Sequence, residues 1–286
     1  GRPHTPTGLF IGLTTFDVIH YVERFPAPDE KLQATSSWRG AGGPAANAAA
    51  AFVALGGRAS LLTALGTDSL GRAAGEELAA QGVEVLDVCS GGAIAVSSVV
   101  VDGRGRRTVV SLNAGGSQAV SMPDRELELA VPDVVALDAH YPRLVAAILE
   151  RAPFSGAPVV LDPGNWKPQL PALMPSAGHV IASAALAPDA TADQILSRLA
   201  RHRPVLAAVT AGAGPIRASV DGVPVQIDVP VMNAIDTLGA GDVLHGAYAF
   251  HLAAGAAPRE ALARGALIAA RSCERQGPRL SPTEST

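Results

Sequence analysis

The run Asp236-Thr237-Leu238-Gly239-Ala240-Gly241-Asp242 combines residue types that could carry out phosphoryl transfer. An apolar segment ending near Gly255 follows it, which predicts a helix that begins at the glycines. The first backbone N–H groups of a helix have no intrahelical acceptor, so the turn Gly239–Asp242 is suited to bind an anion such as phosphate. Asp242 could then accept the proton of a hydroxyl that attacks the phosphorus atom. The spacing indicates an anion-binding turn beside a general base. The alternative interpretation is a tight turn that only caps the helix.

A second run of interest is Gly42-Gly43-Pro44-Ala45-Ala46-Asn47. Glycine lets the backbone approach a ligand closely, and Asn47 lies one turn into the following predicted helix, on the same side. An asparagine amide both donates and accepts hydrogen bonds, which suits a sugar hydroxyl. The pattern favours a turn that contacts a sugar. The alternative is an ordinary strand-to-helix connection with an incidental asparagine.

Two further groups follow predicted strands. Asp17 comes after the first strand, and Thr210-Ala211-Gly212-Ala213-Gly214 ends the strand Val205–Val209. In open parallel sheets, ligands bind beyond the carboxyl ends of the strands. We therefore expect Asp17 to accept hydrogen bonds from two neighbouring hydroxyls, and the glycine-rich stretch to pass close to a nucleotide. A solvated loop aspartate and a flexible connection are the respective alternatives.

The elements that must position these residues alternate between strand and helix, which predicts an α/β fold with a mostly parallel sheet covered by helices. The other predicted strands are Leu9–Leu13, Ala59–Leu65, Val83–Val88, Val134–Leu137, Val159–Leu161 and Val180–Ala182. The predicted helices are Pro44–Leu55, Leu70–Gln81, Pro142–Arg151, Thr191–His202, Gly241–Ala254 and Pro258–Arg275. Within the helix Gly241–Ala254, His245 and His251 lie at positions typical of packing, and we expect no catalytic role for them.

Two regions interrupt this alternation. Phe16–Trp38 is predicted to form a pair of extended strands. Ala95–Leu112 is predicted to form a hairpin with its turn at Asp102-Gly103. Together they are expected to form a small antiparallel sheet beside the main one, as an inserted lid. A further hairpin, Ile216–Ile227 with Asp221-Gly222 at its turn, precedes the opening motif.

Composition excludes several classes of function. The chain has 286 residues, of which 48% are hydrophobic and 17% charged, so it can bury a large core and is not disordered. The net charge of −4 and the absence of a long basic block argue against a nucleic-acid partner. No apolar run is long enough to span a bilayer, the N-terminus lacks a signal-peptide layout, and two cysteines form no disulfide framework. We therefore expect no membrane partner and a cytoplasmic location.

These motifs, in this order, resemble the ribokinase-like (PfkB) family of carbohydrate kinases from Gly8 to about Gly277. Asp-Thr-x-Gly-Ala-Gly-Asp is the most specific signature of that family, and Gly-Gly-x-x-x-Asn is its N-terminal partner. The resemblance implies a three-layer αβα fold forming a single domain over residues 1–286. It also implies a small β-sheet lid built from segments about 14–38 and 95–112, through which homodimers often form.

The resemblance implies a role for each motif. The catalytic group would be Asp242 as base, with the anion hole formed by Gly239, Ala240 and Gly241. The residues that would bind the sugar are Asp17, Gly42, Gly43 and Asn47. The residues that would line the ATP site are Thr210, Gly212, Gly214 and the signature's Thr237. Lys31 and Asn113 lie on the expected lid, where they could reach the sugar; solvated lid side chains are the alternative.

One stretch departs from the family pattern. The family usually carries an Asn-x-x-Glu motif near Val180, associated with Mg²⁺ and phosphate, whereas this chain has Ala182-Ser183-Ala184-Ala185-Leu186-Ala187. The nucleotide phosphates are themselves the main ligands of Mg²⁺, so the metal should still arrive with ATP. We therefore predict no metal held by protein residues, and a requirement for K⁺ is left open.

Within the family, Gly12–Asp17, Gly241–Gly246 and the Cys273…Gly277 tail are most similar to the ketohexokinase and sulfofructose kinase branches. This similarity implies an ATP-dependent kinase that phosphorylates a hydroxymethyl group of a small keto-sugar. His140 stands where the sulfosugar branch has an arginine, which makes a sulfonated substrate a minor option. The same residues are also compatible with a nucleoside kinase of this fold, or with a regulator that binds sugar or nucleotide without turnover.

Overall fold

The computed structural model describes residues 4–89, 91–112, 120, 122, 129–151 and 156–280. A nine-stranded sheet forms its centre, in the order β13-β12-β11-β10-β9-β8-β1-β4-β5. The strands are β1 (Thr7–Ile11), β4 (Arg58–Thr63), β5 (Val83–Asp87), β8 (Val134–Asp138), β9 (Val159–Asp162), β10 (His179–Ser183), β11 (Leu206–Ala211), β12 (Gly214–Val220) and β13 (Val223–Ile227). The strands from β11 to β5 are parallel, and β12 and β13 add an antiparallel edge. The predicted mostly parallel sheet is confirmed.

Helices cover both faces of the sheet, as an αβα sandwich requires. The helices are α1 (Pro44–Ala54), α2 (Ser69–Ala80), α3 (Pro142–Arg151), α4 (Leu170–Leu173), α5 (Ala192–Ala200), α6 (Ala240–Ala253) and α7 (Pro258–Ser272). Buried side chains of α1, α2, α6 and α7 share one apolar cluster with one face of the sheet. Those of α3, α4 and α5 share a second cluster with the opposite face. Each predicted helix is present, and its ends differ by a few residues at most.

A small sheet lies beside the large one, in the order β3-β2-β6-β7. Its strands are β2 (Thr15–Tyr21), β3 (Ser36–Gly42), β6 (Ala95–Val101) and β7 (Arg107–Ser111). Both outer pairings are antiparallel as expected, but the central β2–β6 pairing is parallel. Parallel strands must be joined by a long crossover connection, and between β2 and β6 the chain passes through β3, α1, β4, α2 and β5.

Local sequence signals account for several element ends. Asp68 caps α2 by accepting from the N–H of Gly71 at 2.9 Å, and Thr191 forms a capping box with Gln194 at the start of α5. The β12–β13 turn has φ of 49° at Asp221 and 81° at Gly222. Positive φ at both central residues matches the right-handed twist of a hairpin, so the predicted turn is confirmed. None of the helices in the described ranges has the length and apolar character needed to cross a membrane.

Helices α1 and α6, which carry Asn47 and Asp242, pack closely because Gly246 has no side chain. A Cβ atom built on Gly246 would lie 2.3 Å from the carbonyl oxygen of Ala48 and 2.9 Å from the Cβ of Ala51. The Gly246→Ala change must therefore push the helices apart. We expect a net loss of about 1–3 kcal/mol in unfolding free energy, despite alanine's better helix propensity.

Urea denaturation followed by circular dichroism measures this loss. Gly178→Ala is the matched control, because a Cβ atom there meets no atom within 4 Å and its φ is not positive. Equal stability of the two variants would contradict the close-packing explanation.

Candidate functional site

Buried groups fix the conformation of the turn that precedes α6. Gly239 has φ of 75°, and a Cβ atom there would meet Pro278 at 2.9 Å, so only glycine fits. Asp236 is buried, and its carboxylate accepts hydrogen bonds from the N–H groups of Leu238 at 2.8 Å and Gly277 at 3.0 Å. The hydroxyl of Tyr21 also donates to it, at 2.6 Å. These contacts hold the turn rigidly in place at the start of the helix.

Asp242 lies in the first turn of α6, half-buried and beside Asn47. Its Oδ2 accepts a hydrogen bond from Nδ2 of Asn47 at 2.7 Å. Burial raises the pKa of Asp242 to about 6, with the carboxylate of Asp162 adding to the increase and the Asn47 hydrogen bond opposing it. A carboxylate whose pKa lies near neutrality is suited to take up a proton and release it again.

The orientation of the Asn47 amide is set by an arginine. Asn47 is 4% exposed, and its Oδ1 accepts a hydrogen bond from Nη1 of Arg279. Nη2 of the same guanidinium donates to the carbonyl oxygen of Ala41. Since the amide oxygen faces a donor, the amide nitrogen faces the Asp242 carboxylate. Arg279 was missed from the sequence, because nothing in its surroundings in the chain marks it as buried.

Asp17 is located differently from the sequence prediction. It lies inside β2 rather than in a loop, it is 7% exposed, and burial raises its pKa. Its Oδ1 accepts a hydrogen bond from the hydroxyl of Thr15 at 2.6 Å. Gly42 on β3 lies against it, since a Cβ atom there would be 2.0 Å from Oδ2 of Asp17. The solvated-loop alternative for Asp17 is therefore wrong.

Asp17, Asn47 and Asp242 line a cavity of about 150 Å³ between the small sheet and the start of α6. Two serines of the small sheet, Ser97 and Ser111, lie side by side in its wall, paired across β6 and β7 with their hydroxyls hydrogen-bonded at 2.7 Å. Both serines were missed from the sequence, because the β2–β6 pairing places Ser97 opposite Asp17 and the β6–β7 pairing places Ser111 beside Ser97. The full lining is Leu13, Thr15, Asp17, Gly43, Pro44, Asn47, Ser97, Val99, Val109, Ser111, Leu238, Gly239 and Asp242.

Two other predicted site residues, Lys31 and Thr237, are not among the residues that line this cavity. Lys31 is exposed on the connection between β2 and β3 and is not part of the lining, and Asn113 lies outside the described residues. Thr237 accepts a hydrogen bond from Nη1 of Arg107 on β7 at 2.9 Å, which ties the signature to the small sheet.

The stretch from Thr210 to Gly214 is a tight turn rather than a flexible connection. Ala211 pairs with Gly214 across it, and Gly212 has φ of 60°. Thr210 pairs with Ser183 at the carboxyl ends of β11 and β10. The predicted nucleotide-lining residues therefore lie at the edge of the sheet where ligands bind in parallel sheets.

The described residues contain no group of three or more His, Cys, Asp or Glu that could hold a metal ion. In place of the family's Asn-x-x-Glu motif, residues Ala184–Leu186 form a single 3₁₀ turn, with Ser183 accepting a hydrogen bond from the N–H of Ala185 at 3.3 Å.

Comparison with solved structures gives the same architecture. The chain superposes on a candidate ribokinase from Agrobacterium tumefaciens with a TM-score of 0.87, at 26% identity and over 99% of this chain and 96% of that one. It superposes on Arabidopsis thaliana ribokinase, solved with ribose and ATP, with a TM-score of 0.81, at 22% identity and over 99% and 98% of the two chains.

The chain is also similar in sequence to a curated kinase. The chain is 32% identical over 160 residues to an ATP-dependent ribose-1-phosphate kinase of Halopiger xanaduensis. That alignment covers 55% of this chain and spans about half of the relative, 54% of its length. The model of the pfkB family carbohydrate kinases matches residues 8–285. The motifs, the fold and this match lead to one conclusion: the chain belongs to the pfkB family of carbohydrate kinases.

Proposed function

We propose that the protein transfers the γ-phosphoryl group of ATP to a primary hydroxyl of a small sugar. The observation that carries the proposal is the position of Asp242. Its carboxylate lines the cavity, has a pKa raised to about 6, and lies in the first turn of α6, next to the glycine turn at the helix N-terminus. A base and an anion-binding turn at one point are what phosphoryl transfer to an alcohol requires.

The cavity favours a single uncharged monosaccharide as substrate. Its volume of about 150 Å³ is smaller than the roughly 300–1,000 Å³ of pockets for drug-sized ligands. Its polar groups are carboxylates, hydroxyls and an amide, and no lysine or arginine is among the described residues that line it. Such groups bind sugar hydroxyls well and offer little to a phosphate. Together with the branch resemblance, this supports a neutral keto-sugar, although the Halopiger relative is named for a phosphorylated sugar.

The chain's own residues would act in three ways. Asp17, Asn47 and the backbone at Gly43 would hold the sugar hydroxyls. Asp242 would remove the proton from the attacking hydroxyl. The N–H groups of Gly239, Gly241 and Asp242 would face the charge on the transferred group, whereas the N–H of Ala240 donates to the carbonyl oxygen of Thr237 at 3.3 Å. A Cβ atom built on Gly241 meets no atom within 4 Å, so the approach to this turn is open.

ATP, brought with its Mg²⁺, would supply the phosphoryl group. Thr210, Gly212 and Gly214 would line the adenosine side of the nucleotide site, because they lie at the carboxyl edge of the sheet. Thr237 would contribute from the signature turn. The glycine turn of α6 fits a nucleotide phosphate, because it is exposed at Gly241 and presents helix N-terminal amides.

The function is tested by measuring ADP release with a panel of ketoses, aldoses, their phosphates and nucleosides. We expect turnover with a neutral ketose. Turnover only with nucleosides would support the nucleoside kinase alternative, and ATP binding without any turnover would support a binding regulator. Closure of the small sheet as a lid, homodimerisation through it and the cytoplasmic location stay predictions.

The pH dependence of the reaction should follow Asp242. The carboxylate must be ionised to act as a base, and its pKa is raised to about 6 by burial. We therefore expect kcat/KM to be constant above this pKa and to fall tenfold per pH unit below it. Initial rates between about pH 4.5 and 9 with saturating ATP measure the profile. A decline that begins only near the ordinary aspartate pKa of about 4 would contradict it.

A further inference from the structure

His245 on α6 has an unusual hydrogen-bonding environment one turn after Asp242. The side chain is buried at 8% exposure. Its Nδ1 lies 2.7 Å from the carbonyl oxygen of Gly241, and its Nε2 lies 2.9 Å from the carbonyl oxygen of Ile181 on β10. Both ring nitrogens therefore face groups that can only accept a hydrogen bond.

This environment determines the protonation state. A neutral imidazole carries one N–H, and its second nitrogen is an acceptor. Placed here, that second nitrogen would face a carbonyl lone pair in a buried site, which is unfavourable. Only the imidazolium form donates from both nitrogens. We propose that His245 is a permanent buried cation that holds the candidate base Asp242 in its ionised form, and so acts as a positioning residue for the reaction.

The charged groups around His245 support this assignment. From β9, Asp162 places its Oδ2 3.7 Å from Nδ1 of His245. From α6 itself, Asp242 contributes a second negative charge. These carboxylates and the two carbonyl oxygens raise the pKa of His245, in opposition to its burial. Lys167 lies near Asp138 and Asp162, whose charges oppose the lowering of its pKa by burial. On the side of Asp242, the Asp17 carboxylate raises the Asp242 pKa, and the Arg279 guanidinium is a further nearby cation.

The consequence for the reaction follows from the sign of the charge. A cation beside a carboxylate favours the ionised form, so His245 lowers the pKa of Asp242 against the increase caused by burial. Without this cation, Asp242 would become protonated at a higher pH and would be a base over a narrower range. The effect of His245 on catalysis rests on the proposed function, whereas its protonation state is independent of that function.

The protonation state is tested on the wild-type protein by ¹⁵N NMR of the histidine rings. We expect both ring nitrogens of His245 to be protonated at about pH 7.5, above the ordinary histidine pKa of about 6.5. His251 on the same helix is the internal comparison, because burial lowers its pKa and it should be neutral at that pH. A neutral tautomer at His245 overturns the inference, even if the protein proves to have no kinase activity.

The coupling to Asp242 is tested with His245→Gln, which keeps a side-chain N–H donor but removes the charge. We expect the pH below which kcat/KM falls to rise by about 0.5–1 unit, while kcat/KM on the plateau at high pH is nearly retained. His251→Gln, a matched change on α6, should leave this pH unchanged. An unshifted pH profile in a folded His245→Gln protein overturns the coupling.

A readout other than turnover separates this inference from the proposed function. In ¹³C NMR, the Asp242 carboxyl should titrate at higher pH in His245→Gln than in the wild type. If His245→Gln does not fold, the wild-type spectra decide alone: the ¹⁵N shifts of the His245 ring should change at the pH where Asp242 titrates, while both ring nitrogens stay protonated. A His245 ring whose shifts do not respond to the Asp242 titration would overturn the inference.

Discussion

Replacing Asp242 by asparagine is expected to lower kcat by about 10²–10⁴-fold, the usual contribution of a positioned general base. The change removes the proton acceptor and retains the shape of the side chain. The amide oxygen of the new residue can still accept the hydrogen bond that Nδ2 of Asn47 donates at 2.7 Å. The loss should therefore come from chemistry rather than from misfolding.

Three measurements together make this expectation specific. Steady-state kinetics should show the fall in kcat, calorimetry should show ATP binding within a few-fold of the wild type, and thermal unfolding should show no loss of stability. Asp189→Asn, an identical change at an exposed position, is the control and should have no effect. Near-normal turnover in the Asp242 variant would remove Asp242 from the proposed mechanism.

Replacing Arg279 by methionine is expected to damage both stability and sugar binding. The guanidinium donates to the oxygens of Asn47 and Ala41, and it lies 4.0 Å from the carboxylate of Glu77. Its loss leaves two buried acceptors without donors, which should lower the unfolding free energy by about 2–3 kcal/mol. The Asn47 amide would also lose its fixed orientation, so we expect the KM for sugar to rise by roughly tenfold, equivalent to about 1.4 kcal/mol.

Urea denaturation and steady-state kinetics measure these two effects. Arg279→Lys should be intermediate, because one ammonium cannot donate to both oxygens with the geometry of a guanidinium. Arg259→Met, at an exposed position at the start of α7, is the matched control and should change neither quantity. A wild-type KM in a folded Arg279→Met protein would show that Asn47 does not depend on the arginine.

Local patterns predicted the elements well because their signals are local. The Asp221-Gly222 turn, the glycine that opens α6 and Pro44 at the start of α1 each specify a backbone conformation within a few residues. The alternation of strand and helix then restricts the topology to a parallel sheet. The pairing of β2 with β6 was not accessible in this way, because it joins segments about 80 residues apart in the sequence.

The sequence by itself determined the family, the α/β architecture and the residues of the two glycine motifs, because the spacing of these residue types within short runs carries that information. Only the tertiary structure decided what surrounds them. Arg279 reaches Asn47 across 232 positions of the chain, and His245 has both nitrogens against carbonyl oxygens, one of them on another element. The protonation and orientation of a buried side chain depend on neighbours that folding brings together, and no local pattern encodes them.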